Sequence, residues 1–231
     1  MTSIEKSSPA IPTAQPIIFV TGTDTDVGKT FISTLLAHKW RANYWKPLQT
    51  GIESDDGDSV TVKTAKCDAS WMPEIFQPRY EMIKPLSPYK AMDYEPSIDI
   101  QLTDFEIPKG SEKAPLIVEG AGGAFVPITK DLKTMTDLMK HLAITNTHRP
   151  FKIIVVARSG LGTLNHTLLT INYLENEGLS EHILGIVVNG EKNQGNVEVL
   201  RDYGLEILAE VETTNSPASA LNFIPPLNGL L

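Results

Sequence analysis

Nine residues, Gly22-Thr23-Asp24-Thr25-Asp26-Val27-Gly28-Lys29-Thr30, combine glycines, an ammonium and a hydroxyl in the order that an anion-binding turn requires. Backbone amides at such a turn point at phosphates, and a helix opening directly after it adds partial positive charge. Thr25, Asp26, Val27 and Gly28 supply the amides, Lys29 a full positive charge, and Thr30 a hydroxyl placed for Mg²⁺. The spacing departs from the usual G-x-x-x-x-G-K-[ST], because position 23 is threonine and the first glycine stands one residue earlier. Asp24 and Asp26 repel anions, so they either cap the following helix or orient lysines and bind amines of a second substrate. Lys46 is a second ammonium, between Tyr44-Trp45 and Pro47. It reads either as a solvated loop lysine or as a further phosphate ligand. Glu119 follows the aliphatic run Leu116-Ile117-Val118, where a metal-bound acid is expected beside a phosphate loop. Phosphoryl transfer needs charge neutralisation and alignment more than covalent help, and two lysines with a divalent cation meet that need. One hydroxyl and two carboxylates are a suitable oxygen set for Mg²⁺.

The elements that must position these groups alternate between aliphatic runs and helix-period segments, the pattern of a parallel sheet. Ile17 to Val20, Leu116 to Val118, Ile153 to Val156 and Ile183 to Val188 read as strands. Lys29 to Arg41, Met135 to Leu142 and Thr163 to Glu177 read as helices, the last with Leu164, Leu168, Ile171 and Leu174 on one face. Near-continuous aliphatic strands suit a sheet covered on both sides, with ligands at the strand ends. The expected fold is therefore α/β, doubly wound, with a mainly parallel sheet and helices on both faces. Residues 1–15 read as a flexible tail and 16–231 as a single domain. Cys67 to Lys113 has weak periodicity, is broken by five prolines, and is expected to cover one edge.

The composition narrows the function. A net charge of −8 offers no basic surplus for nucleic acid. A single cysteine, Cys67, excludes an internal disulfide and suits a reducing, cytoplasmic setting. No apolar run has the length of a membrane span.

The segment VTGTDTDVGKT resembles the phosphate loop of the dethiobiotin synthetases. Four further segments resemble elements of the same family: Lys46-Pro47-Leu48-Gln49-Thr50-Gly51, Leu86-Ser87-Pro88-Tyr89, Glu119-Gly120-Ala121-Gly122-Gly123 and Gly160-Leu161-Gly162-Thr163-Leu164-Asn165-His166. The resemblance implies an ATP-dependent ligase that carboxylates 7,8-diaminopelargonic acid with CO₂ and closes a cyclic urea. The route passes through a carbamate and its mixed anhydride with phosphate. It implies that Lys29 and Lys46 are catalytic, with Lys46, Thr50, Thr23 and Gly122 on the substrate side. Thr30, Asp58 and Glu119 would hold Mg²⁺; Asp58 is chosen because Asp58-Ser59-Val60 opens a helix-like segment, and Asp55 is the nearest alternative. Asn189 would contact adenine. Gly162, Thr163, Leu164 and Asn165, at a helix opening, would bind the substrate carboxylate across a homodimer interface, with Thr163 as an ordinary N-cap the other reading.

The chain departs from the family where Gly190 follows Asn189, where Ala209 to Glu212 replaces a Gly-x-(Ile/Val)-Pro element, and where Tyr89 replaces a histidine. The first two bear on nucleotide selectivity. A glutaminase-coupled ligase would need an ammonia source that this chain lacks. A partitioning ATPase would carry an early lysine where Thr23 and Asp24 stand.

Overall fold

The computed structural model describes residues 14–68, 70–214 and 216–230. All but two residues of the expected N-terminal tail lie outside them. Seven parallel strands form the central sheet, in the order β4-β2-β6-β1-β7-β8-β9. They are β1 (Ile17–Gly22), β2 (Asn43–Trp45), β4 (Ile75–Phe76), β6 (Leu116–Glu119), β7 (Phe151–Arg158), β8 (Ile183–Gly190) and β9 (Ile207–Glu212). Two short strands, β3 (Leu48–Thr50) and β5 (Tyr80–Met82), pair in parallel beside it.

Side chains alternate across a strand, and β1 shows the consequence. Ile17 and Phe19 enter one core with Leu116, Val118, Ile153 and Val155; Ile18 and Val20 enter the opposite core with Ile117, Ile154 and Val156. The first core is closed by helices α4 (Met135–Thr145), α5 (Thr163–Asn176) and α6 (Gln194–Asp202), through Leu138, Leu142, Ile171, Leu174, Val197 and Leu200. Helices α1 (Lys29–Trp40) and α2 (Asp58–Thr64) close the second, through Ile32, Leu35, Leu36 and Val62. Both faces of the sheet are thereby removed from water, which is why the strands read as unbroken aliphatic runs.

The strands extend beyond the expected runs, and Glu119 is the last residue of β6 rather than the first after it. Helix α1 ends one residue early, at Trp40, because Arg41 adopts the left-handed conformation at φ 50°. The proline-broken region resolves into β4 on the sheet edge, β5, the one-turn α3 (Pro88–Ala91) and two 3₁₀ turns. Helix α6 and strand β9 were not foreseen. β9 is an edge strand whose Glu210 and Glu212 interrupt the apolar pattern, and Glu210 pairs with Arg201 of α6 at 2.9 Å. A short α7 (Pro217–Ala220) follows.

Candidate active site

At the carboxyl ends of β1, β2 and β6 the chain makes a connected knot of polar groups. β1 delivers the turn Thr23 to Gly28, and α1 begins at Lys29. The N-cap of α1 is Gly28 at φ 93°, with no side-chain cap, so neither Asp24 nor Asp26 caps this helix. Lys29 instead folds back to donate to the Asp24 carbonyl at 2.9 Å. Thr30 places its hydroxyl 2.8 Å from Glu119 Oε1 and 2.9 Å from Asp58 Oδ1. Lys46, just past β2, lies 3.0 Å from Glu119 Oε1 and 2.5 Å from Asp58 Oδ2, and donates to the Gly120 carbonyl at 3.1 Å. The solvated-loop reading of Lys46 does not hold, since the residue is buried.

Asp58 is the carboxylate that reaches this knot. Asp55 lines the same cleft, but its Oδ1 accepts the Gly57 amide at 2.7 Å, closing its own turn. Two supporting residues were not anticipated. Tyr44 donates to Glu119 Oε2 at 3.0 Å, and Gln49 Oε1 accepts the Asp58 amide at 3.0 Å. Tyr44 stands two residues before Lys46, a spacing that shares a strand face, and this was the available signal. Gln49 gave none.

The charges bias one another. Burial alone would lower the Lys46 pKa, but Glu119 and Asp58 outweigh it and raise the pKa above the ordinary lysine value. Burial would likewise raise the Asp58 carboxyl, yet Lys46 holds it below the usual range. Lys29 is pushed down, first by burial and then by Lys46. The Tyr44 phenol is driven well up by burial and by the Glu119 charge, so it remains a proton donor to that carboxylate. Thr30, Asp58 and Glu119 are all oxygen donors converging on one point, a set suited to a hard divalent cation completed by waters and phosphate oxygens. Among the described residues, no cluster of three or more His, Cys, Asp or Glu forms a denser metal cage.

These groups line a cleft of about 560 Å³ together with Thr25, Asp26, Gly28, Thr50, Gly122 and the Pro85 to Pro88 turn. Val27 is buried beneath the loop, where its carbonyl accepts the Asn189 side-chain amide at 3.0 Å, so Asn189 adjoins the loop from the end of β8. Thr23 faces a second cavity of about 520 Å³, lined by Phe125, Val126, Leu169 and Tyr173. Gly162, Thr163, Leu164 and Asn165 reach neither cavity in this chain. Gly162 is the N-cap of α5 at φ 90°; Thr163 is inside the helix, its buried hydroxyl 3.3 Å from that of Thr167, so it is not the N-cap. Gly162 and Asn165 are exposed at that helix end.

A glycine turn between a central parallel strand and a helix, with lysine, threonine and two acids at its mouth, defines a phosphate-loop nucleotide-binding protein. Residues 17–218 match the family described as AAA domain, and the fold is similar to a ParA family ATPase from Chlorobium tepidum. That similarity has a TM-score of 0.52 at 10% identity and covers 91% of this chain and 92% of that one. The chain is 41% identical over 212 residues to the ATP-dependent dethiobiotin synthetase BioD of Paramagnetospirillum magneticum, covering 90% of this chain and 94% of that protein. It is also 40% identical over 196 residues to the biotin biosynthesis bifunctional protein BioCD of Bordetella avium, spanning 84% of this chain but only 39% of that longer protein. The chain belongs to the ATP-dependent dethiobiotin synthetase family.

Proposed function

We propose that the protein uses ATP to join CO₂ to 7,8-diaminopelargonic acid and close the cyclic urea of dethiobiotin. The observation that supports this best is the part-buried knot of Lys46, Thr30, Asp58 and Glu119 beside the phosphate loop, which concentrates cationic and metal-binding groups where a γ-phosphoryl would lie. In this reading a carbamate forms on one amine, ATP phosphorylates it, and the second amine attacks the mixed anhydride and expels phosphate. Thr25 to Gly28 and Lys29 hold the triphosphate, and Lys46 and Thr50 hold the carbamate and transferring oxygens. Both lysines neutralise charge that builds on the phosphoryl oxygens. Thr30, Asp58 and Glu119 would hold Mg²⁺, which would shield the nucleotide phosphates when bound. Asn189, which donates to the Val27 carbonyl of the loop, is assigned to the base.

The second cavity adjoins the loop at Thr23, Asp24 and Thr25, and its apolar wall suits an aliphatic chain. The carboxylate at the end of that chain is assigned to Gly162 to Asn165 of a second copy, making the enzyme a homodimer. Incubating the protein with ATP, Mg²⁺, bicarbonate and the diamine, and reading the product mass, tests the proposal. The cyclic urea should form, with ATP consumption dependent on the diamine. ATP turnover that ignores the diamine, with no cyclic product, would overturn it.

A further inference from the structure

Asp24 presents a difficulty inside this site. It lies in the middle of the anion-binding turn, where a carboxylate opposes any polyphosphate. Its side chain neither caps α1 nor joins the metal-binding knot. One carboxylate oxygen accepts the Thr25 amide at 2.7 Å, and the other accepts from Arg158 Nη2 at 2.8 Å. Its backbone carbonyl is the group on which Lys29 rests. Three contacts therefore converge on one residue: from its neighbour's amide, from the ammonium of the loop, and from the last residue of β7.

Arg158 is otherwise weakly tied. Its Nε–H is enclosed without a partner among the described residues, and the Asp24 carboxylate is the acceptor found for its guanidinium. Both side chains are about half exposed, at 42% and 50%, so the pair adds little to global stability. Its effect is local: a planar, permanently charged fork cancels the one loop carboxylate that it touches and fixes its orientation.

We propose that Arg158 is a positioning residue for nucleotide binding, neutralising Asp24 and holding it so that the loop's formal charge rises from negative to zero and Lys29 keeps its resting carbonyl. This rests on the nucleotide reading of the loop given above. Arg158→Gln exposes the Asp24 charge to the phosphates, and should weaken ATP about tenfold in both Kd and KM, with a smaller loss in kcat at saturating ATP. Adding Asp24→Asn removes the charge while leaving an oxygen for the Thr25 amide, and should return affinity to within about threefold of wild type, the signature of a coupled pair. The penalty in Arg158→Gln should shrink at high ionic strength and be smaller for AMP than for ATP.

ATP affinity, with and without Mg²⁺, in wild type and these two variants decides the matter, with thermal melting as a check on folding. An Arg158→Gln protein that binds ATP like wild type overturns the proposal. So does a double variant no better than Arg158→Gln, because the arginine would then act by touching nucleotide directly or by holding the fold. Wild-type protein that binds no nucleotide defeats the reading of the loop itself, and this proposal with it.

Discussion

Lys29 and Lys46 carry the same charge into the same cleft, yet they stand in opposite electrostatic circumstances. Lys46 is clasped between two carboxylates, one of them, Glu119, fully buried. Replacing it with methionine strands those charges, at a cost of roughly 3–5 kcal/mol. Lys29 donates to a neutral carbonyl and is opposed by both burial and Lys46. Its pKa is depressed by folding, so at neutral pH its ammonium costs stability that returns only as pH rises through the folded value. Lys29→Met should therefore leave stability unchanged or slightly raise it, in contrast to the Lys46 variant. Both variants should lose about a hundredfold or more in turnover. Urea melts beside steady-state assays separate the two; equal melting midpoints, or either variant working at near wild-type rate, would remove the assigned role. The type and order of these residues were readable in the chain, but this contrast was not, because it depends on which carboxylates the fold brings to which ammonium.

The turn between β1 and α1 holds its shape through backbone geometry. Gly28 has φ 93°, a left-handed conformation that costs an L-residue about 1–2 kcal/mol. A Cβ there would also fall 2.2 Å from Asn189 Nδ2, so the end of β8 is packed directly against the loop. Gly28→Ala should lower both the melting temperature and nucleotide affinity. In the melting temperature, Gly28→Ala with Asn189→Ala should recover the part due to collision and leave the part due to φ; no recovery at all would mean that Asn189 does not set the close approach. The strand-turn-helix succession was legible because Ile17 to Val20 and the α1 periodicity survive burial on all sides. The edge strand β9 was not, since glutamates at alternate positions dilute its apolar signal.

Helix α1 also carries His38, 3% exposed, with neither ring nitrogen hydrogen-bonded among the described residues and its ring edge-on to Trp71 at 5.8 Å. Burial lowers its pKa below the ordinary 6.5, partly countered by Asp68. The unfolded chain then binds more protons than the folded one as pH drops below about 6.5, and stability falls until the folded pKa is reached. Unfolding free energy measured across this range should show that slope, and His38→Leu should flatten it; an unchanged slope would assign the acid sensitivity elsewhere. A second property concerns assembly. Phe125, Leu161 and Leu169 are largely exposed apolar side chains; Phe125 and Leu169 line the second cavity, and Leu161 precedes the opening of α5. Sedimentation should show a dimer, and Leu169→Asp should shift it toward monomer while raising KM for the diamine. A monomeric wild type with full activity would remove the shared site.

The order of residue types made the glycine turn ending in Lys29 and Thr30 legible, with strands β1, β6, β7 and β8 and helices α1, α4 and α5, because an anion-binding turn and helix-covered parallel strands each impose a local pattern. Which acid joins Thr30, Lys46 and Glu119, Asp58 or Asp55, depended on contacts between positions far apart in the chain. So did the burial of Lys46, the support from Tyr44 and Gln49, and the pairing of Arg158 with Asp24. These are set by strand order: β6 inserted between β1 and β2, and β7 on the other side of β1. Local periodicity reports that a face is buried and is silent about which strand lies beside it.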